Sequence, residues 1–317
     1  MSFRTLAVLL ACLSPGALAL SQTPAAAPAK DPRIGQLITQ LEAVRGPSQT
    51  VISPDSKLVA WVVKSQEGKG TEIEVAPLDN PSAAYQITAC SEGKQGEENE
   101  IAWSPDSKKL AFFSDCNSEH QQGLYIAEPA AKAPAHRLAT FHGYADSPQW
   151  SPDSKFIGLL YVEGATRSSG ALAAMKPPSG VIGVEGLEIQ RVAAVDAASG
   201  ELAPNTPANL HVYEFNWSPD SKKLAYVAAP PPGENNWWVA KLYTQPFMPG
   251  SKAVLGGRPA FDPSILVDPT SGHSPIFGLQ IAVPRWSPDG SQIAFISGLM
   301  SDQGSTGGDI YLMPSSG

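Results

Sequence analysis

Two of the three cysteines are the residues of this 317-residue chain best suited to forming a covalent cross-link. Cys90 and Cys116 stand well inside the sequence, whereas Cys12 lies in an apolar run near the start. An even number of cysteines in an exported protein favours a disulfide, because oxidising compartments preserve S–S bonds. The alternative is a pair of unbonded buried thiols, since a disulfide requires Cα atoms within about 7 Å and spacing does not reveal that distance.

Catalytic and metal-binding patterns are missing from the sequence. No Gly-x-Ser-x-Gly motif, which would expose a nucleophilic serine on a sharp turn, occurs in the chain. The Gly/Ser-rich residues 301–309 run into a predicted strand and not into a helix, so they lack the form of a phosphate-binding loop. Five histidines do not fall at ligand spacing with one another or with the two later cysteines: His120, His136, His142, His211 and His273. We therefore expect no catalytic residue, no cofactor site and no metal site.

A few acidic and aromatic side chains are weaker candidates for binding. Glu97 and Glu98 are adjacent in a polar loop before a predicted strand, and we expect both to be solvated. Trp237 and Trp238 precede an apolar run. On a strand they would point to opposite faces, one into the core and the other as a possible binding platform.

The elements that must position these residues come from one phrase that the chain repeats five times, at intervals of roughly 50 to 70 residues. Its copies are VISPDSKLVAWVV, AWSPDSKKLAFFS, QWSPDSKFIGLLY, NWSPDSKKLAYVA and RWSPDGSQIAFIS. The residues that recur are Ser53, Pro54 and Asp55; Trp103, Pro105 and Asp106; Trp150, Pro152 and Asp153; Trp217, Pro219 and Asp220; and Trp286, Pro288 and Asp289.

Each copy predicts a hairpin. Serine opens a β-turn, proline presets φ at the second position, aspartate suits the third, and the fourth needs a positive φ. Gly290 supplies that φ freely, whereas the other four copies place serine there. The apolar run after each turn predicts a strand covered on both faces. The recurring Trp should be buried against the neighbouring unit, and the first copy has the smaller Ile52 in its place.

Two further strands can be recognised in most units, so the repeat contains four short strands. Radial repetition of such a unit predicts an all-β fold, a β-propeller of four-stranded, WD-like blades, with four blades and an incomplete fifth. A parallel β-helix has shorter periods, and an α-solenoid needs helical periodicity that is missing here. The predicted organisation is a signal peptide (1–19), an Ala/Pro-rich linker (20–30), a helix (31–46) and the propeller (47–317), with a small-residue insertion at 164–186.

Composition restricts the environment and the partners of the protein. Arg4, the apolar run that follows it, and small residues at Ala17 and Ala19 predict a secretory signal peptide too short to span a bilayer. Its removal takes away Arg4 and makes the formal charge of −8 one unit more negative. An acidic chain without a Lys/Arg cluster is a poor ligand for nucleic acid or for anionic membranes. We expect a periplasmic or extracellular protein.

The chain resembles the N-terminal part of exported serine peptidases of the prolyl oligopeptidase family. The resemblance runs from IGQLITQLEAV through the five repeats to DIYLMPSSG, and includes HVYEFNWSPDSKKLAYVAAPPPGENNWW. It implies a propeller that admits short peptides to a C-terminal α/β-hydrolase domain, which would carry the catalytic Ser, Asp and His. Glu214 lacks the sequence setting of the acidic pair that binds substrate amino termini in the aminopeptidase branch. The alternative is a stand-alone exported propeller, similar to that of the Tol system, which binds a protein or a glycan.

The fifth unit supplies only three predicted strands, which leaves a strand edge and the walls of the first and fifth units open. Exposed edges favour pairing with other chains. We therefore expect residues 20–317 to be part of a longer chain and to self-associate when expressed alone.

Overall fold

The structure is a computed structural model. It describes residues 32–42, 44, 46–65, 70–116, 121–165, 188–230, 236–250, 254–255, 258–259, 262–299 and 307–317. The predicted signal peptide and linker, His120, and all but the first two residues of the 164–186 insertion lie outside these ranges.

One α-helix, α1 (Pro32–Glu42), belongs to a unit of residues 1–44. It is shorter than the predicted 31–46. Four apolar side chains recur at helical spacing along it, and all four are exposed: Ile34, Leu37, Ile38 and Leu41. Among the described residues, none of the helices has the length and apolar character needed to cross a membrane.

Residues 45–317 form a second unit of antiparallel sheets in which strands pair mostly with their neighbours in sequence. Sheet 1 contains β1 (Pro47–Ile52), β2 (Leu58–Lys64), β3 (Thr71–Pro77) and β4 (Tyr85–Ile87). Sheet 2 contains β5 (Glu98–Trp103), β6 (Leu110–Ser114), β7 (Gly123–Ala127) and β8 (His136–Thr140). Sheet 3 contains β9 (Gly143–Trp150), β10 (Phe156–Glu163), β11 (Arg191–Asp196) and β12 (Leu202–Pro204).

The last two sheets depart from this simple order. Sheet 4 contains β13 (His211–Trp217), β14 (Lys223–Ala229), β15 (Lys241–Pro246) and β18 (Ser264–Val267). Between β15 and β18 the chain forms a separate two-stranded ribbon, β16 (Val254–Leu255) with β17 (Arg258–Pro259). Sheet 5 has three strands among the described residues, β19 (Gln280–Trp286), β20 (Gln292–Gly298) and β21 (Asp309–Pro314).

Each copy of the repeated phrase joins the first strand of a sheet to the second. The residue before the turn is paired across it with the start of the next strand: Ile52 with Val59, Trp103 with Leu110, Trp150 with Ile157, Trp217 with Leu224, and Trp286 with Ile293. The register of every hairpin is therefore set by the same turn.

The core lies between consecutive sheets. Four clusters of buried apolar side chains each combine residues of two neighbouring sheets, from sheets 1 and 2 through to sheets 4 and 5. Strands β6 and β7 are buried along their whole length, because both of their faces are covered. Full burial of a Leu or Phe side chain contributes about 1.5–3 kcal/mol, so stacking the sheets supplies most of the apolar stabilisation.

A β-bulge interrupts the first strand of every sheet, where its pairing with the second strand shifts register. In three sheets a residue with positive φ marks it, three positions before the Trp: Glu100 (φ 53°), Ser147 (φ 51°) and Val283 (φ 55°). A bulge leaves an extra residue unpaired in the ladder and bends the strand. The side chains and N–H groups at these bulges are therefore available for contacts with neighbouring sheets.

Candidate functional site

The repeated turns place serine and aspartate side chains in one recurring hydrogen-bonded arrangement. In every copy the serine hydroxyl donates to Oδ1 of the aspartate two residues later, over 2.6–2.7 Å. The same hydroxyl accepts the N–H at the start of the second strand, as when Leu58 donates to Ser53 over 2.9 Å. At the fourth turn position φ is positive in all five copies: Ser56, Ser107, Ser154, Ser221 and Gly290.

These contacts give the repeated polar residues a structural role. The serine hydroxyl is the first cause that lowers the pKa of Asp55, Asp106 and Asp220. The same bond, with contacts from Ser291, lowers the pKa of Asp289 to about 2. Because the carboxylate that accepts the hydroxyl hydrogen bond has a lowered pKa, it is a weak base for removing the hydroxyl proton, and these serines are poorly placed to act as nucleophiles. The prolines occupy the second turn position, and most are exposed: Pro54, Pro105, Pro152, Pro219 and Pro288.

The repeated tryptophans link consecutive sheets. The indole N–H of Trp103 donates to the carbonyl of Val51 in sheet 1 over 3.3 Å. Trp150 donates to Ala102 in sheet 2, and Trp217 to Gln149 in sheet 3, each over 3.1 Å. Each acceptor immediately precedes the Trp or Ile of its own copy. Each of these three tryptophans is therefore buried and also donates a hydrogen bond to the first strand of the preceding sheet.

Trp286 departs from this pattern. Its Nε1 is buried and has no hydrogen-bond partner among the described residues. Its backbone N–H instead donates a hydrogen bond to sheet 4, where Oδ1 of Asn216 accepts it over 3.1 Å. The contact between sheets 4 and 5 thus uses a side-chain amide in place of an indole.

Cys90 and Cys116 are joined in a disulfide, with Cα atoms 5.0 Å apart. Cys90 follows the last strand of sheet 1, and Cys116 follows the second strand of sheet 2. The bond therefore ties the loop between these sheets, residues 88–97, to sheet 2. Gly96 of this loop packs against the cysteine, because a Cβ at Gly96 would lie 2.8 Å from Sγ of Cys116.

Glu98 lies beside the disulfide and is 1% exposed, so the prediction that it is solvated is wrong, whereas Glu97 is exposed. Oε1 of Glu98 accepts hydrogen bonds from the N–H of Ala89 over 2.6 Å and from the hydroxyl of Thr88 over 3.1 Å. Burial raises the pKa of Glu98 to about 7, although these hydrogen bonds act in the opposite direction. The sequence around Glu98 does not reveal this burial, because it depends on the closure of residues 88–97 over the carboxyl.

A polar cavity of about 200 Å³ opens next to this carboxyl. Its lining includes Thr71, Thr88, Cys90 and Glu98. Within the described residues, Cys90, Glu98 and Cys116 form the one group of three side chains whose sulfur and carboxylate atoms all lie within 4.8 Å of each other.

A second acidic group lies on the first strands of sheets 2 and 3. The carboxyl groups of Glu100 and Asp146 lie close enough for the charge of Asp146 to act on Glu100. Burial, and then the charge of Asp146, raise the pKa of Glu100. Ser147 donates its hydroxyl to Asp146 over 3.0 Å and its N–H to Glu100. The positive-φ bulge at Ser147 thus directs its N–H to the carboxylate of the preceding sheet.

Sheets 4 and 5 repeat this contact. Glu214 stands three residues before Trp217, as Glu100 stands three before Trp103. Its Oε2 accepts the N–H of Val283, the bulge residue of sheet 5. Burial raises the pKa of Glu214, whereas the Val283 N–H and the nearby Arg285 guanidinium lower it. The first strands therefore carry acidic side chains that bridge consecutive sheets.

The described histidines do not form a catalytic group with these carboxylates. His136, His142 and His273 are exposed, and His211 is fully buried. Nδ1 of His211 accepts the N–H of Gln190 over 3.2 Å. Burial lowers the pKa of His211 to about 4, so the ring is neutral at pH 7.

The two adjacent tryptophans do not lie on a strand, so that prediction is wrong. Trp237 and Trp238 form a short 3-10 helix (Trp237–Val239) before β15. Trp238 is 55% exposed and Trp237 is partly buried. The residues before them favour a turn, which shifts the strand to Lys241–Pro246.

Comparison with known proteins gives a fold. No protein-family model matches the chain, and no curated protein matches it. Among solved structures, an oligogalacturonate lyase in complex with manganese is similar over 84% of this chain and 62% of its own, at 15% identity and a TM-score of 0.56. A prolyl endopeptidase is similar over 91% and 37%, at 14% identity and a TM-score of 0.55. The β-propeller domain of the Trilobed protease from Pyrococcus furiosus is similar over 86% and 70%, at 15% identity and a TM-score of 0.51.

These likenesses show an all-β fold of the β-propeller class, as the repeat predicted. The chain spans less than two thirds of the lyase and of the endopeptidase. The same architecture occurs in proteins of unrelated activity, so the fold alone does not define the function.

Proposed function

We propose that this chain is the non-catalytic propeller region of an exported serine peptidase that acts on short peptides. In this proposal the propeller controls access to an α/β-hydrolase domain that carries the catalytic residues. The observation that carries the proposal is the fold similarity to a prolyl endopeptidase, which covers 91% of this chain but only 37% of that protein. In that protein the matched part is accompanied by a larger remainder.

The arrangement of polar side chains supports a non-catalytic role. The repeated serines hydrogen-bond turn aspartates, and the carboxylates of Glu100 and Glu214 bond N–H groups of neighbouring sheets. The residues best suited to chemistry therefore stabilise sheet contacts. Selection by access is a geometric property, so the propeller needs no reactive residue of its own.

A second candidate is a stand-alone exported propeller that binds a protein or a glycan. It is supported by the similarity to an oligogalacturonate lyase, which has the higher TM-score of the two enzymes. That protein carries a different activity on a similar fold, which supports a role for this chain other than the selection of peptides.

The two candidates differ in a measurable activity. Protein purified from its native source is offered fluorogenic peptides of increasing length and a folded protein that contains the same cleavable sequence. The peptidase proposal expects hydrolysis of the short peptides, a steep fall in kcat/KM with length, and no cleavage of the folded protein. Equal cleavage of peptide and folded protein contradicts access control. An absence of peptide hydrolysis, together with saturable binding of a glycan or protein, supports the second candidate.

A further inference from the structure

The group formed by Cys90, Glu98 and Cys116 combines two sulfur atoms with a carboxylate, which are ligand types found in metal sites. The two sulfur atoms and the carboxylate lie within 4.8 Å of one another. One Glu98 oxygen is 4.0 Å from Sγ of Cys116. In a tetrahedral zinc site with Zn–S bonds near 2.3 Å, the ligand atoms are separated by roughly 3.8 Å. The carboxylate–sulfur distance therefore already suits such a site, and the two sulfur atoms, which are bonded to each other in the disulfide, reach its dimensions by moving apart after reduction.

The charge around Glu98 favours a cation. The carboxyl is 1% exposed, and its hydrogen bonds come from neutral groups, which are the Ala89 and Cys90 N–H groups and the Thr88 and Ser114 hydroxyls. No salt bridge reaches it from the described residues. A buried carboxylate without a counter-charge is costly, and a bound cation would supply that charge.

The cavity supplies space and access. It is about 200 Å³ in volume and is lined by Cys90 and Glu98. Its polar lining can hold water, which would complete a site that has three protein ligands. An ion can thus reach the group without unfolding of the sheets.

We propose that Cys90, Glu98 and Cys116 bind a thiophilic divalent cation, with Zn²⁺ as the best match, when the disulfide is reduced. A dithiol provides two electrons and two protons, breaks the S–S bond, leaves two thiols and becomes a disulfide itself. The cation then forms two metal–sulfur bonds and releases two protons. Two thiolates and one carboxylate suit zinc better than Mg²⁺ or Ca²⁺, which prefer oxygen ligands.

Such a site would keep the same elements joined in both redox states. The disulfide ties the loop after sheet 1 to the end of β6, and the metal would tie the same two positions. Glu98, the first residue of β5, would add a ligand that the disulfide does not use. This inference does not depend on the proposed peptidase function.

The experiment uses the full chain with Cys12→Ser, so that Cys90 and Cys116 are the only cysteines. The protein is reduced with dithiothreitol, freed of it by anaerobic gel filtration, and titrated with Zn²⁺ or with Co²⁺ as a spectroscopic probe. We expect one ion per chain and a near-ultraviolet thiolate-to-cobalt band, and no such binding by the oxidised protein. Glu98→Gln removes a ligand and should weaken zinc binding by at least the roughly 10- to 100-fold that loss of an outer-shell partner causes, whereas Glu97→Gln, in the exposed neighbour, should leave it unchanged.

Two outcomes would overturn the proposal. One is a reduced protein that retains no zinc while its circular dichroism shows intact sheets. The other is equal zinc affinity of the Glu98→Gln and Glu97→Gln variants. If Glu98→Gln does not fold, Cys116→Ser takes its place in the titration. A zinc affinity of Cys116→Ser equal to that of the reduced parent protein would also overturn the proposal. The thiol count of the oxidised, denatured protein verifies the starting state, and two reactive thiols there would show that no disulfide forms.

Discussion

The indole links between sheets lead to a prediction that separates a hydrogen bond from packing. Trp217 can be replaced by β-(3-benzothienyl)alanine, in which sulfur takes the place of the indole N–H and the shape is retained. The substitution removes the donor to the Gln149 carbonyl. The same substitution at Trp286 removes a buried N–H that has no partner among the described residues. The two sites therefore form a matched pair.

The magnitudes follow from the energetics of buried polar groups. A lost hydrogen bond costs about 0.5–1.5 kcal/mol, and more when a buried partner is left unsatisfied. Replacement at Trp217 should thus lower the free energy of unfolding by about 1–2 kcal/mol. At Trp286 an unsatisfied donor disappears, so the replacement should be neutral or stabilising. The difference between the two sites is expected to be about 1–3 kcal/mol.

The assay is equilibrium unfolding in urea, followed by tryptophan fluorescence and by far-ultraviolet circular dichroism. Agreement of the two probes is required before a free energy is calculated. Trp150, which donates to Ala102 over 3.1 Å, provides a second site at which a loss is expected. Equal losses at Trp217 and Trp286 would show that these indoles contribute by packing alone, and that the reasoning about the links is wrong.

Three further predictions use other buried positions. His211→Asn should be compared with the wild type between pH 4 and 7: because the His211 pKa falls from 6.5 to about 4, the unfolded chain takes up the proton first. As pH falls, the free energy of unfolding of the wild type should therefore decrease by about 3 kcal/mol more than that of the variant. Parallel curves of unfolding free energy against pH for the two proteins would contradict this. Glu100→Gln should stabilise the protein relative to the wild type, and increasingly so as pH rises, because burial and a neighbouring carboxyl raise the pKa of Glu100. A difference in melting temperature between variant and wild type that stays constant from pH 5 to 8 would count against this prediction. Gly158→Ala should destabilise by about 1–3 kcal/mol, since its Cβ would lie 2.8 Å from Phe215, whereas Gly46→Ala, with open space around it, should be nearly neutral; similar urea midpoints for both variants would refute the packing argument.

The sequence predicted those parts of the fold that depend on short-range chemistry. A Ser-Pro-Asp turn is specified by four consecutive residues, so the five hairpins and their register follow from the repeat. The apolar runs after the turns predicted strands covered on both faces; β6 is buried throughout and β10 and β14 nearly so, whereas β2 and β20 are only partly buried. The repeat period also predicted the propeller class.

Long-range contacts could not be read in this way. Glu98 lies in a polar stretch, and its burial depends on the loop that the disulfide holds. Trp237 and Trp238 form a 3-10 helix because local turn preference outweighs the strand pattern that follows. One missed feature had a signal, however. Aligning the repeats on their tryptophans places Glu100 and Glu214 at the same position, which marks the bridging carboxylates of the first strands.

Covalent labelling tests most directly the proposal that this propeller serves a serine peptidase. Native extracts are treated with a fluorophosphonate probe, which reacts with activated serines, and the protein is captured with an antibody raised against residues 46–317. The account predicts one labelled serine in the polypeptide that carries this chain, with the label lost after heat denaturation and after competition by short peptides. A captured polypeptide that contains the propeller in folded form and never reacts with the probe would contradict the account.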